Sequence, residues 1–169
     1  EYLKPVANKI LAMIGGNHEA RTEEDATPIQ DIAEDLGVRF AEWEALLAIP
    51  VGTKLKNGKP CVYSMYVTHG WTNSRFIGGK ALNLDRLKDI VLAEIYGMAH
   101  THTQHVHTGV YEVPDLYNGK VRQIKRYFVS FGSYQRRGEY PARKGLPGQV
   151  LGTPLIRLGG QEKSIKVEV

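Results

Sequence analysis

Cysteine is almost missing from these 169 residues, with Cys61 standing alone. It can neither close an internal disulfide nor share a thiolate metal site, which favours a reducing, cytoplasmic setting. Its surroundings make it a strand residue rather than a nucleophile. No apolar run approaches the roughly 20 residues that a spanning helix needs, so a membrane protein is not expected. From Glu1 onward there is no basic stretch followed by an apolar one, and no secretion signal is expected there. Repeats and low-complexity tracts are also lacking, and the glycines and prolines are scattered as turn punctuation. Hydrophobic residues at 42% and charged residues at 24% exclude wholesale disorder. A single domain over residues 1–169 is the expectation at this length.

Charge of one sign is scarce in one place only. Between Gly119 and Gly145 the sequence holds Lys120, Arg122, Lys125, Arg126, Arg136, Arg137, Arg143 and Lys144 against Glu139 alone. Such a segment attracts phosphate-rich partners, and Tyr127, Phe128, Phe131, Tyr134 and Tyr140 interleave it as stacking aromatics would in a nucleic-acid binder. The plainer alternative is a core of aromatics with solvated charges.

Ile10 to Ile14 reads as a buried strand that ends at Gly15-Gly16. Thr27-Pro28-Ile29-Gln30 offers a cap, a first-turn proline and a capping-box glutamine, which predicts a helix from Pro28 to Leu36 stopped by Gly37. Leu46 to Leu55 and Pro60 to Thr68 are predicted strands flanking the hairpin signal Asn57-Gly58. Asn83 is a candidate cap for a helix over Leu84 to Leu92, and Glu94 to Met98 reads as a short strand. Strands then dominate: Val106–Val113, Val121–Gly132, Thr153–Leu158 and Ser164–Val169, with Asn118-Gly119 as a second hairpin turn. The order implies an α/β fold on mixed sheets.

Three polar clusters, Asn17-His18-Glu19, His69-Gly70 and His100-Thr101-His102, each follow a predicted strand, where open α/β sheets place their ligands. An amide oxygen and several imidazoles are what a divalent ion accepts. In extended backbone His100 and His102 would share one side. His105 and His107 extend the run; a histidine-only zinc site there is an alternative to residues at the cleft rim.

These motifs resemble the calcineurin-like metallophosphoesterases, whose Gly-Asn-His-Glu, histidine-Gly and Gly-His-x-His motifs match Gly16-Asn17-His18-Glu19, His69-Gly70 and Ala99-His100-Thr101-His102. The resemblance implies an α/β, metallophosphoesterase-type β-sandwich flanked by helices, and hydrolysis of a phosphate ester at two divalent metal ions (Mn, Zn or Fe). It implies that Asn17, His69 and His100 bind one ion and His102 the other. His18 would steady the phosphate or protonate the leaving oxygen, with Glu19 behind it. Arg21 and Arg75, near these motifs in sequence, are candidates to clamp substrate phosphate or ordinary surface arginines. The family's Asp-x-His and Gly-Asp-x-x-Asp motifs have no counterpart ahead of Gly16, so the chain is expected to supply the Asn/His half of a site, completed by a missing N-terminal segment or a second chain. Ala99 replaces a family glycine and asks that backbone to avoid positive φ. The rival expectations are a DNA nuclease of the same superfamily and a non-catalytic accessory subunit that binds a partner.

Overall fold

The structure, a computed structural model, describes residues 2–17, 28–52, 58–72, 74–134, 136, 138, 142, 143, 145 and 147–169. A 3-10 turn at Lys4–Lys9 leads into β1 (Met13–Ile14), α1 (Pro28–Leu36) and β2 (Phe40–Ala41). The two short strands pair in parallel, Met13 opposite Phe40 and Ile14 opposite Ala41. The helix has the predicted bounds, with Pro28 at its first position and Ala33 as its buried contact. It ends at Gly37, where the Val38 N–H reaches back to Ala33 O at 2.8 Å and satisfies a terminal carbonyl.

The main sheet has five strands: β3 (Glu44–Val51), β4 (Cys61–Thr68), β5 (Ile95–Met98), β6 (His105–Asp115) and β7 (Lys120–Ser130), in the spatial order β3-β4-β5-β7-β6. β4, β5 and β7 run parallel, and the outer strands β3 and β6 are antiparallel to their neighbours. Helix α2 (Ile77–Asp85) and a 3-10 turn (Arg86–Asp89) make the crossover from β4 to β5. Leu84, Leu87 and Ala93 from this crossover pack on Tyr66, Tyr96, Met98 and Phe128 to form the core. Tyr96 and Phe128 stack with centroids 4.7 Å apart.

A third pair, β8 (Leu155–Leu158) and β9 (Ile165–Glu168), is antiparallel. Tyr63, fully buried on β4, ties it down: its hydroxyl lies 2.6 Å from Gly159 O and accepts from Ser164 N at 2.9 Å. The class is therefore α/β on mixed sheets. Cys61 opens β4, buried and free.

Two expectations need correction. Asn83 does not cap a helix: it lies inside α2, which begins at Ile77, and its side chain donates to Gly79 O one turn back at 3.1 Å. An asparagine bonded to its own helix backbone imitates a cap in sequence. The hairpin turn expected at Asn118-Gly119 is present: it closes the four-residue loop Leu116–Gly119 between the paired residues Asp115 and Lys120. The strand expected over Ile10–Ile14 shrinks to its last two residues. Asn57 lies outside the described residues.

Candidate functional site

Parallel pairing puts the carboxyl ends of β4, β5 and β7 on one edge, with Thr68, Met98 and Ser130 as their last residues. His69 follows the first directly, and His100 comes two residues after the second. Thr68 is buried, and its hydroxyl donates to Trp43 O and accepts from Gly70 N, both at 3.1 Å. Trp43 O also accepts from His69 N at 3.1 Å. These bonds fasten the segment before β3 to the end of β4. Gly15 N donates to Ala41 O at 2.9 Å, which brings Gly15-Gly16-Asn17 beside that segment. A Cβ on Gly15 would sit 2.6 Å from Glu42 O, so only glycine allows the approach.

Asn17, His69 and His100, separated by 52 and 31 residues in sequence, thereby meet. His69 Nε2 is 2.9 Å from Asn17 Oδ1 and 3.0 Å from His100 Nδ1. The chemistry of this meeting is constrained. An imidazole nitrogen carries either one proton or one lone pair, so Nε2 makes one good hydrogen bond. If it donates, two acceptors compete for one proton. If it accepts, Asn17 Oδ1 faces its lone pair. Exchanging the amide's oxygen and nitrogen only reverses the conflict, giving two donors for one lone pair. A cation between three lone pairs removes it, and donors about 3 Å apart suit bonds of about 2.0–2.2 Å to a divalent ion.

The His100–His102 loop departs from expectation. Neither histidine is extended: φ is +60° at His100 and +53° at His102, and Ala99 is not in that region. The alternation that would have put both rings on one side does not apply. His100 turns to His69, whereas His102, exposed, lies 3.1 Å through Nδ1 from Ser133 Oγ. Between them Thr101 is buried with its hydroxyl 2.8 Å from Ser130 Oγ. From α2, Lys80 donates to Thr101 O at 3.1 Å and to Thr103 Oγ1 at 2.5 Å, and burial lowers its pKa. His18, Glu19 and Arg21 lie outside the described residues. Arg75 is exposed between β4 and α2.

The three residues open into a cleft of about 660 Å³, whose other walls include Trp43, Glu44, Thr68, Gly70, Trp71 and Thr72. Glu44 accepts from the Tyr66 hydroxyl at 2.5 Å; burial, then this carboxylate, raises the tyrosine pKa above its usual range. Sequence reasoning passed over Trp43, Trp71 and Glu44. Trp71 stands two residues from His69, and that adjacency was the available signal; nothing local marks Trp43 or Glu44.

His105 and His107 form a separate group. Their facing nitrogens are 3.3 Å apart, the His107 ring stacks on Phe128 at 4.6 Å, and its other nitrogen is 3.7 Å from Asp85. Burial, then His105, lowers the His107 pKa. In the basic segment, Arg122 pairs with Asp115 at 3.4 Å, and Arg126 is buried over the Tyr111 ring with a bond to Tyr96 OH. These two cations are committed to the fold.

No family model matches the sequence, and no curated protein matches it. Among solved structures the chain is similar to a Vps29 double mutant from Entamoeba histolytica, at 15% identity and a TM-score of 0.42, over 99% of this chain and 87% of that one. At that identity the likeness extends to neither residue roles nor activity.

Proposed function

We propose that the cleft binds a divalent metal ion through Asn17, His69 and His100 and serves the hydrolysis of a phosphate ester. The observation that carries this reading is the meeting of Asn17 Oδ1 and His100 Nδ1 with His69 Nε2, 2.9 and 3.0 Å from it, at the edge of the parallel strands. Their order along the chain agrees with the motif resemblance. All three donors are uncharged, so an ion keeps its positive charge toward substrate. When bound, such an ion makes water more acidic and neutralises charge on phosphoryl oxygens.

The chain's own residues account for the rest. Lys80, Thr101 and Ser130 hold the His100 loop against α2 and β7, and Trp43 O holds the His69 backbone. His18 is proposed to protonate the leaving oxygen, a task suited to a histidine near neutral pH, with Glu19 as its support. The resemblance assigns His102 to a second ion, and elemental analysis decides between one ion and two.

Hydrolysis of an aryl phosphate, assayed across added Mn²⁺ and Zn²⁺, tests the reading. Activity should require the ion. His69→Ala should lose both ion and turnover, whereas His18→Ala should keep the ion and lose rate. Metal-independent turnover, or a His18→Ala variant that loses ion and keeps rate, would contradict these roles.

One observation favours a second reading, a binding subunit without catalysis. Nδ1 of His102, the residue that the resemblance assigns to a second ion, lies 3.1 Å from Ser133 Oγ. Stoichiometric ion binding with no turnover on monoesters, diesters or DNA would select it.

A further inference from the structure

The chain has two tryptophans, and both line the cleft that holds Asn17, His69 and His100. They come from different elements: Trp43 from the segment between β2 and β3, Trp71 from the loop after β4. Each is about half exposed, 47% for Trp43 and 45% for Trp71, although the core has room for the large rings of Tyr63, Tyr96 and Phe128. Their backbones are held in place. Trp43 O accepts from both Thr68 Oγ1 and His69 N. Trp71 follows Gly70, whose φ of +85° and close approach to Met98 exclude a side chain. Two rigid, amphipathic rings left facing a polar centre provide flat faces on which a planar group stacks, with little conformational entropy to lose. Glu44, on the same wall, adds an acceptor for an N–H or O–H donor.

We infer that the cleft takes small phosphate esters whose leaving group carries a planar aromatic ring, a nucleoside or an aryl alcohol, with the ring held on Trp43 and Trp71 and the phosphate turned toward Asn17, His69 and His100. This rests on the phosphate-ester reading above and narrows its substrate class. A purely aliphatic ester would leave both indoles in water and gain nothing from them.

Because no other tryptophan is present, selectively excited tryptophan fluorescence reports on this cleft alone. The whole chain, loaded with Zn²⁺, is titrated with adenosine 5′-monophosphate, phenyl phosphate, ribose 5-phosphate and orthophosphate, with affinities from calorimetry and emission recorded in parallel. The two aromatic esters should bind about tenfold or more tighter than ribose 5-phosphate, as one stacked ring contributes, and should change the emission. Trp43→Ala and Trp71→Ala should each reduce that preference, and Trp71→Phe should restore most of it. Zinc affinity measured on each variant checks that the cleft is intact. If both aromatic esters bind no better than ribose 5-phosphate while orthophosphate still binds, the ring site is refuted and the phosphate-ester reading survives. If no phosphate compound binds the zinc-loaded protein, both are refuted. Tighter binding by the nucleotide than by phenyl phosphate would assign the ring to a nucleobase, and the reverse to a simple aryl group.

Discussion

If three lone pairs converge on one point, an ion placed there should stabilise the fold, and removing the atom common to both contacts should abolish that gain. His69 Nε2 is that atom, within 3.0 Å of both Asn17 Oδ1 and His100 Nδ1. An ion that binds only the folded chain, supplied at about 100 times its dissociation constant, adds about 2.7 kcal/mol, or about 5–10 °C in Tm for a domain near this size. Residues that merely orient metal ligands are worth roughly 10–100-fold in affinity, so losing a ligand should weaken binding at least 100-fold. At the same ion concentration His69→Ala would then gain only about 0.4 kcal/mol, near 1 °C. Differential scanning calorimetry with and without Zn²⁺ gives the comparison. Asn17→Ala and His100→Ala should behave similarly, and His105→Ala, in the separate histidine group, should keep the full shift. A zinc-induced shift of equal size in wild type, Asn17→Ala, His69→Ala and His100→Ala would refute the convergence argument.

Phe128→Ala should cost about 3–5 kcal/mol, because its fully buried ring stacks on Tyr96 at 4.7 Å and His107 at 4.6 Å; urea denaturation measures it. Gly70→Ala should cost about 2 kcal/mol or more by the same assay, since φ is +85° and the new Cβ would fall 2.3 Å from Cγ of Met98, itself fully buried. Tyr66→Phe removes the donor to Glu44 and should cost about 1 kcal/mol near neutral pH. The folded Tyr66 hydroxyl has its pKa raised by burial and by Glu44. The folded state therefore holds this proton more tightly than the unfolded one, and the associated stability is present below about pH 10 and falls as pH rises beyond it. The fall should be shallower in Tyr66→Phe, as denaturation between pH 8 and 11 would show; parallel profiles would contradict this origin.

Much of the fold was legible because local signals and tertiary demands agree. Pro28 and Gly37 punctuate α1 by backbone chemistry alone, and the apolar residues that end β4 and β7, Tyr66 and Val67, Phe128 and Val129, are buried where they lie. The boundaries that failed are those set by distant partners. Asn83 carries cap chemistry, but its helix begins earlier because Leu84 and Leu87 need the sheet beneath them. The short β1 persists only because Phe40 and Ala41 return beside it after α1.

The site was legible in its donors and not in its geometry. Residue type and strand-end position singled out the three polar clusters, the resemblance grouped Asn17, His69 and His100 among them, and no pattern of single residues could reveal that His69 stands between the other two. The expected alternation of His100 and His102 failed on backbone. Alternation assumes extended chain, yet His100 and His102 both adopt positive φ, a region histidine tolerates better than most side chains but still at a cost. What offsets that cost is visible around Thr101: its buried hydroxyl meets Ser130, and Lys80 grips its carbonyl from α2. The loop is thus bent by contacts from two elements that sequence spacing does not report. Within this bend His100 Nδ1 lies 3.0 Å from His69 Nε2. One distortion therefore accounts both for the failed alternation of the two rings and for the contact between His100 and His69.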